Sequence, residues 1–137
     1  LLPSPQGREM GGGGMKALRI DPSEYAEQTA FVAWFRQAYP GTLIFAVPNG
    51  AHLAGSARQR AAKMARMKAE GFVPGIPDLC IPAWNAWIEM KRRRGGRVSE
   101  DQQKIISHLT GIGQTVIVAR GFDDAIAQVR ALREVSE

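Results

Sequence analysis

Residues 74–91 read PGIPDLCIPAWNAWIEMK. Pro74-Gly75-Ile76-Pro77 cannot be regular structure, because each proline lacks an amide donor and turns the residue before it away from helix. A rigid loop therefore delivers the chain into Asp78. Asp78 to Pro82 reads as a strand, Ala83 to Asn85 as a turn, and Ala86 to Lys91 as a second strand, so the stretch predicts a hairpin. Strand side chains alternate, which puts Glu89 and Lys91 on one face and turns Ile88 and Met90 to the other, toward the core. With a tight turn at Ala83-Trp84, Asp78 falls directly opposite Glu89, where facing Cβ atoms lie ~5 Å apart. Trp84 and Trp87 are read as hairpin core or a subunit interface in preference to base-stacking platforms.

On the N-terminal side, Ala30, Phe31, Trp34, Phe35 and Ala38 recur at helical spacing between Pro22 and Tyr39, and Pro40-Gly41 stops the pattern. Thr42 to Val47 is apolar and β-branched and reads as a buried strand that breaks at Pro48-Asn49-Gly50. Ser56 to Glu70 is rich in helix formers and basic residues, with Gly71 as its stop. On the C-terminal side, Arg92 to Arg97 reads as a mobile basic loop. Ser99 and Gln102 form a capping-box pattern ahead of a helix with Ile105, Ile106, Leu109 and Ile112 on one face. Thr115 to Ala119 is a short strand, Gly121 a turn, and Asp123 to Arg133 a closing amphipathic helix. This order predicts an α/β fold: a mixed central β-sheet flanked by helices, with a parallel return through the third helix.

The chain has 137 residues, enough for one cored domain and too few for two ordinary ones. Residues 1–14, LLPSPQGREMGGGG, carry no apolar periodicity and are read as a vector-derived leader or flexible tail, leaving a single domain over 15–137. No apolar run approaches the ~20 residues of a membrane span. The single cysteine, Cys80, excludes an intramolecular disulfide and a cysteine-rich zinc site, and makes an intracellular, reducing location the default. Eighteen Lys and Arg against thirteen Asp and Glu give +5, an excess that favours a polyanionic partner. It is concentrated in two segments, Arg58 to Lys68 and Lys91 to Arg97.

Two carboxylates as close as Asp78 and Glu89 repel unless a cation lies between them, and oxygen donors suit Mg²⁺ or Mn²⁺. Lys91 is then placed to orient water and to offset charge on a phosphate. The plainer alternative is that Asp78 caps a turn while Glu89 and Lys91 form an exposed pair worth at most ~1 kcal/mol. No glycine-rich phosphate loop is present, so no nucleotide cofactor is expected.

Several pieces in order decide between these readings. VPNGAH (47–52), KAEGFVPGIPDL (68–79), WIEMK (87–91) and RVSEDQQKIISHLTGIG (97–113) together resemble the VRR-NUC family, the virus-type replication and repair nucleases of the PD-(D/E)xK superfamily. Val98 stands where leucine is commoner. The resemblance implies a restriction-endonuclease-like core and metal-dependent hydrolysis of DNA phosphodiesters. It makes Asp78 and Glu89 metal ligands, Met90 a ligand through its backbone carbonyl, Lys91 the catalytic lysine and Gln102 a site residue that can also serve the capping box. It also implies a ligand glutamate on the first helix, for which Glu27 is the choice, with Glu24 one turn earlier left open.

The expected partner is DNA, through Arg58, Lys63, Arg92 and Arg93 on phosphates and Asn49 and His52 at a strand exit. Stand-alone members of the family resemble Holliday-junction resolvases in size, so the resemblance points to a homodimeric resolvase, since a four-way junction needs two coordinated cuts and a two-fold dimer supplies them. A flap, branch or duplex nuclease is the alternative, and a non-catalytic DNA-binding module a further one.

Overall fold

The computed structural model describes residues 20–48 and 53–136. Its elements in chain order are α1 (Glu24–Ala38), β1 (Phe45–Ala46), α2 (Ala57–Ala69), β2 (Leu79–Ile81), a 3-10 turn (Pro82–Trp84), β3 (Ala86–Lys91), α3 (Glu100–Gly111), β4 (Thr115–Arg120) and α4 (Phe122–Ser136). Three serines start helices. The hydroxyls of Ser23, Ser56 and Ser99 accept from the amides of Ala26, Gln59 and Gln102, and the last two form full capping boxes. Each such cap satisfies an amide the helix itself leaves unpaired, worth ~1 kcal/mol.

The sheet has the order β1-β2-β3-β4. β2 and β3 form the expected antiparallel hairpin, with Leu79 opposite Ile88 and Ile81 opposite Ala86. Its connection is not a tight two-residue turn: the 3-10 turn is closed by Asn85 in the left-handed region at φ 49°. The register is the expected one all the same, and continuing it by one place sets Asp78 opposite Glu89. β4 returns parallel to β3 after α3, pairing Ala86 with Thr115 through to Lys91 with Arg120.

β1 departs from expectation. The ladder holds only Phe45 and Ala46, both exposed, and Ile44 alone in that stretch joins the core. An edge strand has a partner on one side only, and Pro48 cannot donate to extend it. One further bond, from the Val47 amide to the Asp78 carbonyl at 2.8 Å, ties this edge to the start of β2.

Helices α1 and α4 cover the sheet face that carries Ile88 and Met90. Phe31 and Phe35 from α1 and Ala125 and Val129 from α4 pack there with Ile117 and Ala119 of β4, all 5% exposed or less. Burying each large side chain contributes ~1.5–3 kcal/mol. Trp84 extends this core, its ring 5.3 Å from Phe35 and 5.0 Å from Tyr39, with the Arg133 guanidinium 4.7 Å above it. Trp87 donates its indole N–H to Gln114. Helix α3 lies on the opposite face, with Ile105, Ile106 and Leu109 half-buried and Ile112 exposed.

Candidate active site

Proline chemistry and strand alternation together build the site at the end of the hairpin. Asp78 emerges from the proline loop just before β2, and its Oδ2 accepts from the Met90 amide at 2.7 Å. The side chain thus replaces a ladder bond that the loop backbone does not make. Continuing the register two places sets Pro77 opposite Met90. A proline has no N–H, so it cannot give the Met90 carbonyl a partner.

Glu89 and Lys91 share the face toward α3 and are buried, at 3% and 7% exposure. Their amine and carboxylate lie 3.6 Å apart. Gln102 links them: its Nε2 donates to Glu89 Oε2 at 2.9 Å, and its Oε1 accepts from Lys91 Nζ at 2.9 Å. The same Oε1 accepts from the Ser99 amide at 2.9 Å, so Gln102 closes the capping box and bridges the site at once. Burial pushes the Glu89 carboxyl up to about 8, repulsion from Asp78 adds to this, and Lys91 opposes it. An acid so perturbed beside a second carboxylate is one whose charge a cation would complete.

Gly75, read from the sequence only as part of the rigid loop, seats this arrangement. It has φ +90°, and a Cβ there would lie 2.6 Å from the Asp101 carbonyl and 2.8 Å from the Gln102 amide. The loop backbone therefore rests directly on the first turn of α3, which holds Gln102 over Glu89 and Lys91. A glycine between two prolines was the available signal.

Glu27 lies elsewhere. It is 2% exposed on α1, and its carboxylate accepts from Arg93 Nε at 2.8 Å, Arg93 Nη2 at 3.2 Å and the Phe122 amide at 3.0 Å. The Arg93 guanidinium holds its carboxyl below the usual range. Gly121 permits the contact, since a Cβ there would come within 2.9 Å of Glu27 Oε2. Among the described residues no three His, Cys, Asp or Glu side chains gather as a metal cluster. Asp78, Glu89 and the Met90 carbonyl offer oxygen donors only, the kind that fit a hard divalent cation. Glu24, the alternative on α1, is exposed.

The basic loop is anchored, contrary to the mobile loop expected. Besides Arg93, Arg94 pairs with Asp21 at 2.9 Å and Arg120 donates to the Gly96 carbonyl at 2.6 Å. Arg93 is thereby committed to Glu27, while Arg92 is exposed. Helix α2 has no buried residue; Arg58 is exposed on it, and Lys63 donates to the Ala54 carbonyl at 3.1 Å. Asn49 and His52 lie outside the described residues.

The hairpin and the parallel return are those that the strand pattern predicted. The model of the VRR-NUC domain matches residues 22–123. The chain belongs to the VRR-NUC family. A solved structure described as a VRR_NUC domain protein superposes with a TM-score of 0.65 over 83% of this chain and 90% of its own, at 22% identity, and shares the fold. No curated protein matches the sequence. As a VRR-NUC protein the chain is a member of a nuclease family. Among the described residues no helix is long and apolar enough to cross a membrane.

Proposed function

We propose that this VRR-NUC protein is a metal-dependent endonuclease that hydrolyses DNA phosphodiesters at branch points, acting as a homodimer on four-way junctions. The observation that carries the reading is the facing pair Asp78 and Glu89, with Glu89 buried, perturbed to about 8 and bridged through Gln102 to Lys91. Asp78, Glu89 and the Met90 carbonyl hold Mg²⁺ or Mn²⁺. When bound, such an ion supplies Lewis-acid stabilisation of the phosphate and a more acidic water.

The protein's own groups do the rest. Lys91 sets a fixed positive charge where charge develops on the scissile phosphate. Gln102 fixes the orientation of Lys91 and Glu89 through one hydrogen bond to each. Exposed Arg58 and Arg92 supply phosphate contacts, which govern affinity and its salt dependence. In this arrangement Glu27 secures the Arg93 loop beside the site.

The test is cleavage of end-labelled four-way junction, flap and linear duplex DNA with Mg²⁺ or Mn²⁺, with Asp78→Ala in parallel. Paired symmetric nicks in the junction, lost in Asp78→Ala while DNA binding persists, are expected. Preference for the flap would keep the chemistry and replace the junction as substrate. Binding without cleavage in any metal would overturn the nuclease reading in favour of a DNA-binding module.

A further inference from the structure

A groove of about 460 Å³ opens from Asp78 and Gln102, and beyond these two it is bordered by residues that the proposed chemistry does not use, among them Met64 and Lys68 of α2, Phe72, and Ile76 of the proline loop. Its wall is of three kinds, apolar side chains, one lysine at the rim, and the carboxylates Asp78 and Asp101 on the side toward the acid pair and α3. Met64, Phe72 and Ile76 are half-buried, each leaving apolar surface open to the groove, while Lys68 is exposed at its rim. An aromatic ring and a flexible thioether beside a cation suit a ligand with a flat apolar face and a negative charge. The volume falls within the ~300–1,000 Å³ that hold small ligands and is far too small for a duplex.

We infer that this groove takes one nucleotide unpaired at the branch point, from a base pair opened at the crossover of a four-way junction or from the first position of a flap, its base against Phe72 and Met64 and its phosphate at Lys68, next to the phosphate cut at Asp78. The inference rests on the nuclease reading for the identity of the polymer, and deepens it by naming what the enzyme recognises. A base in a duplex keeps both faces stacked and cannot enter. One at a branch point is free to splay, and unpaired bases bind protein chiefly by stacking on aromatic side chains beside a basic track. Asp101 brings a negative charge to the α3 wall, which leaves the Lys68 rim as the place for the phosphate. Selectivity for branched DNA then comes from a pocket within one protomer.

The test uses flap DNA with 2-aminopurine as the first unpaired nucleotide, and the same flap with an abasic residue there, measured by fluorescence and by binding in EDTA. The protein should change the 2-aminopurine signal and bind the intact flap about tenfold more tightly than the abasic one. Phe72→Ala should abolish this discrimination while leaving linear duplex binding unchanged, and Phe72→Tyr should preserve it. Met64→Ala, on a helix without buried residues, should reduce it even if Phe72→Ala fails to fold. Lys68→Ala should lower the salt dependence of flap binding. Equal binding of intact and abasic flaps by the parent, or discrimination that survives Phe72→Ala and Met64→Ala, would overturn the pocket. Because none of these readouts needs cleavage, discrimination without any cleavage would refute the nuclease reading alone, and cleavage without discrimination the pocket alone.

Discussion

Glu27 and Glu89 are the same residue at nearly the same burial, 2% and 3% exposed, and their environments push them in opposite directions. Glu27 meets a guanidinium and a backbone amide, which hold its carboxyl below the usual range. Glu89 meets a second carboxylate, and burial lifts it to about 8 despite Lys91 nearby. A buried carboxyl met by a guanidinium and an amide is stabilised as the anion by the protein itself; one set deep beside a second carboxylate is an anion that a bound cation would stabilise. Surface exposure does not separate them, although Glu89 lies deeper and desolvation is the largest cause of its rise. Depth and neighbours together do.

The largest separation is expected in activity. Glu89→Gln should lower cleavage by about a thousandfold or more (~4 kcal/mol), yet leave thermal stability at neutral pH unchanged, since the neutral amide mimics the protonated acid. A large fall in stability would mean that Glu89 is as structural as Glu27. For Glu27→Ala the order should reverse, with stability falling by ~1–3 kcal/mol as the Phe122 amide loses its acceptor and Arg93 its anchor. Calorimetric Mn²⁺ binding should persist in Glu27→Ala and vanish in Asp78→Ala; loss in both would make Glu27 the helix-borne ligand.

The pH dependence should differ in sign. The lowered value of Glu27 contributes stability above the ordinary 4.5 that is lost as pH falls through the folded value. The raised value of Glu89 contributes stability below 4.5 that is lost progressively as pH rises toward about 8. Melting in EDTA should therefore show a decline between these two values that Glu89→Gln flattens, and a decline that remains in Glu89→Gln would assign the slope to another group. Mn²⁺ affinity in the parent should rise over the same interval, because binding must displace the Glu89 proton. The smallest effect belongs to the neighbouring pair: Arg94 is largely exposed, and Arg94→Ala should change stability by less than ~1 kcal/mol.

The two basic segments teach a related lesson. Arg58 to Lys68 and Lys91 to Arg97 look alike in sequence, as two runs of cations available to phosphate. In the folded chain the first remains an exposed helix, whereas Arg93 and Arg94 of the second close on Glu27 and Asp21 from sixty-six and seventy-three residues away. Nothing local distinguishes them, because their partners are remote.

What the sequence determined by itself is what short range determines. Period-two alternation put Glu89 and Lys91 on one face and Ile88 and Met90 in the core. The prolines ended the loop at Asp78, and the Ser99–Gln102 pattern started α3. The register that faces Asp78 with Glu89 also followed, since a hairpin brings close neighbours in the chain together. The tertiary structure alone decided which partner each charge meets, where β1 stops pairing, that Gly75 carries the first turn of α3, and that Met64, Lys68 and Phe72 open a groove beside the acid pair. These depend on contacts between distant segments, whose distances and desolvation set the energies and leave no periodic trace in the chain.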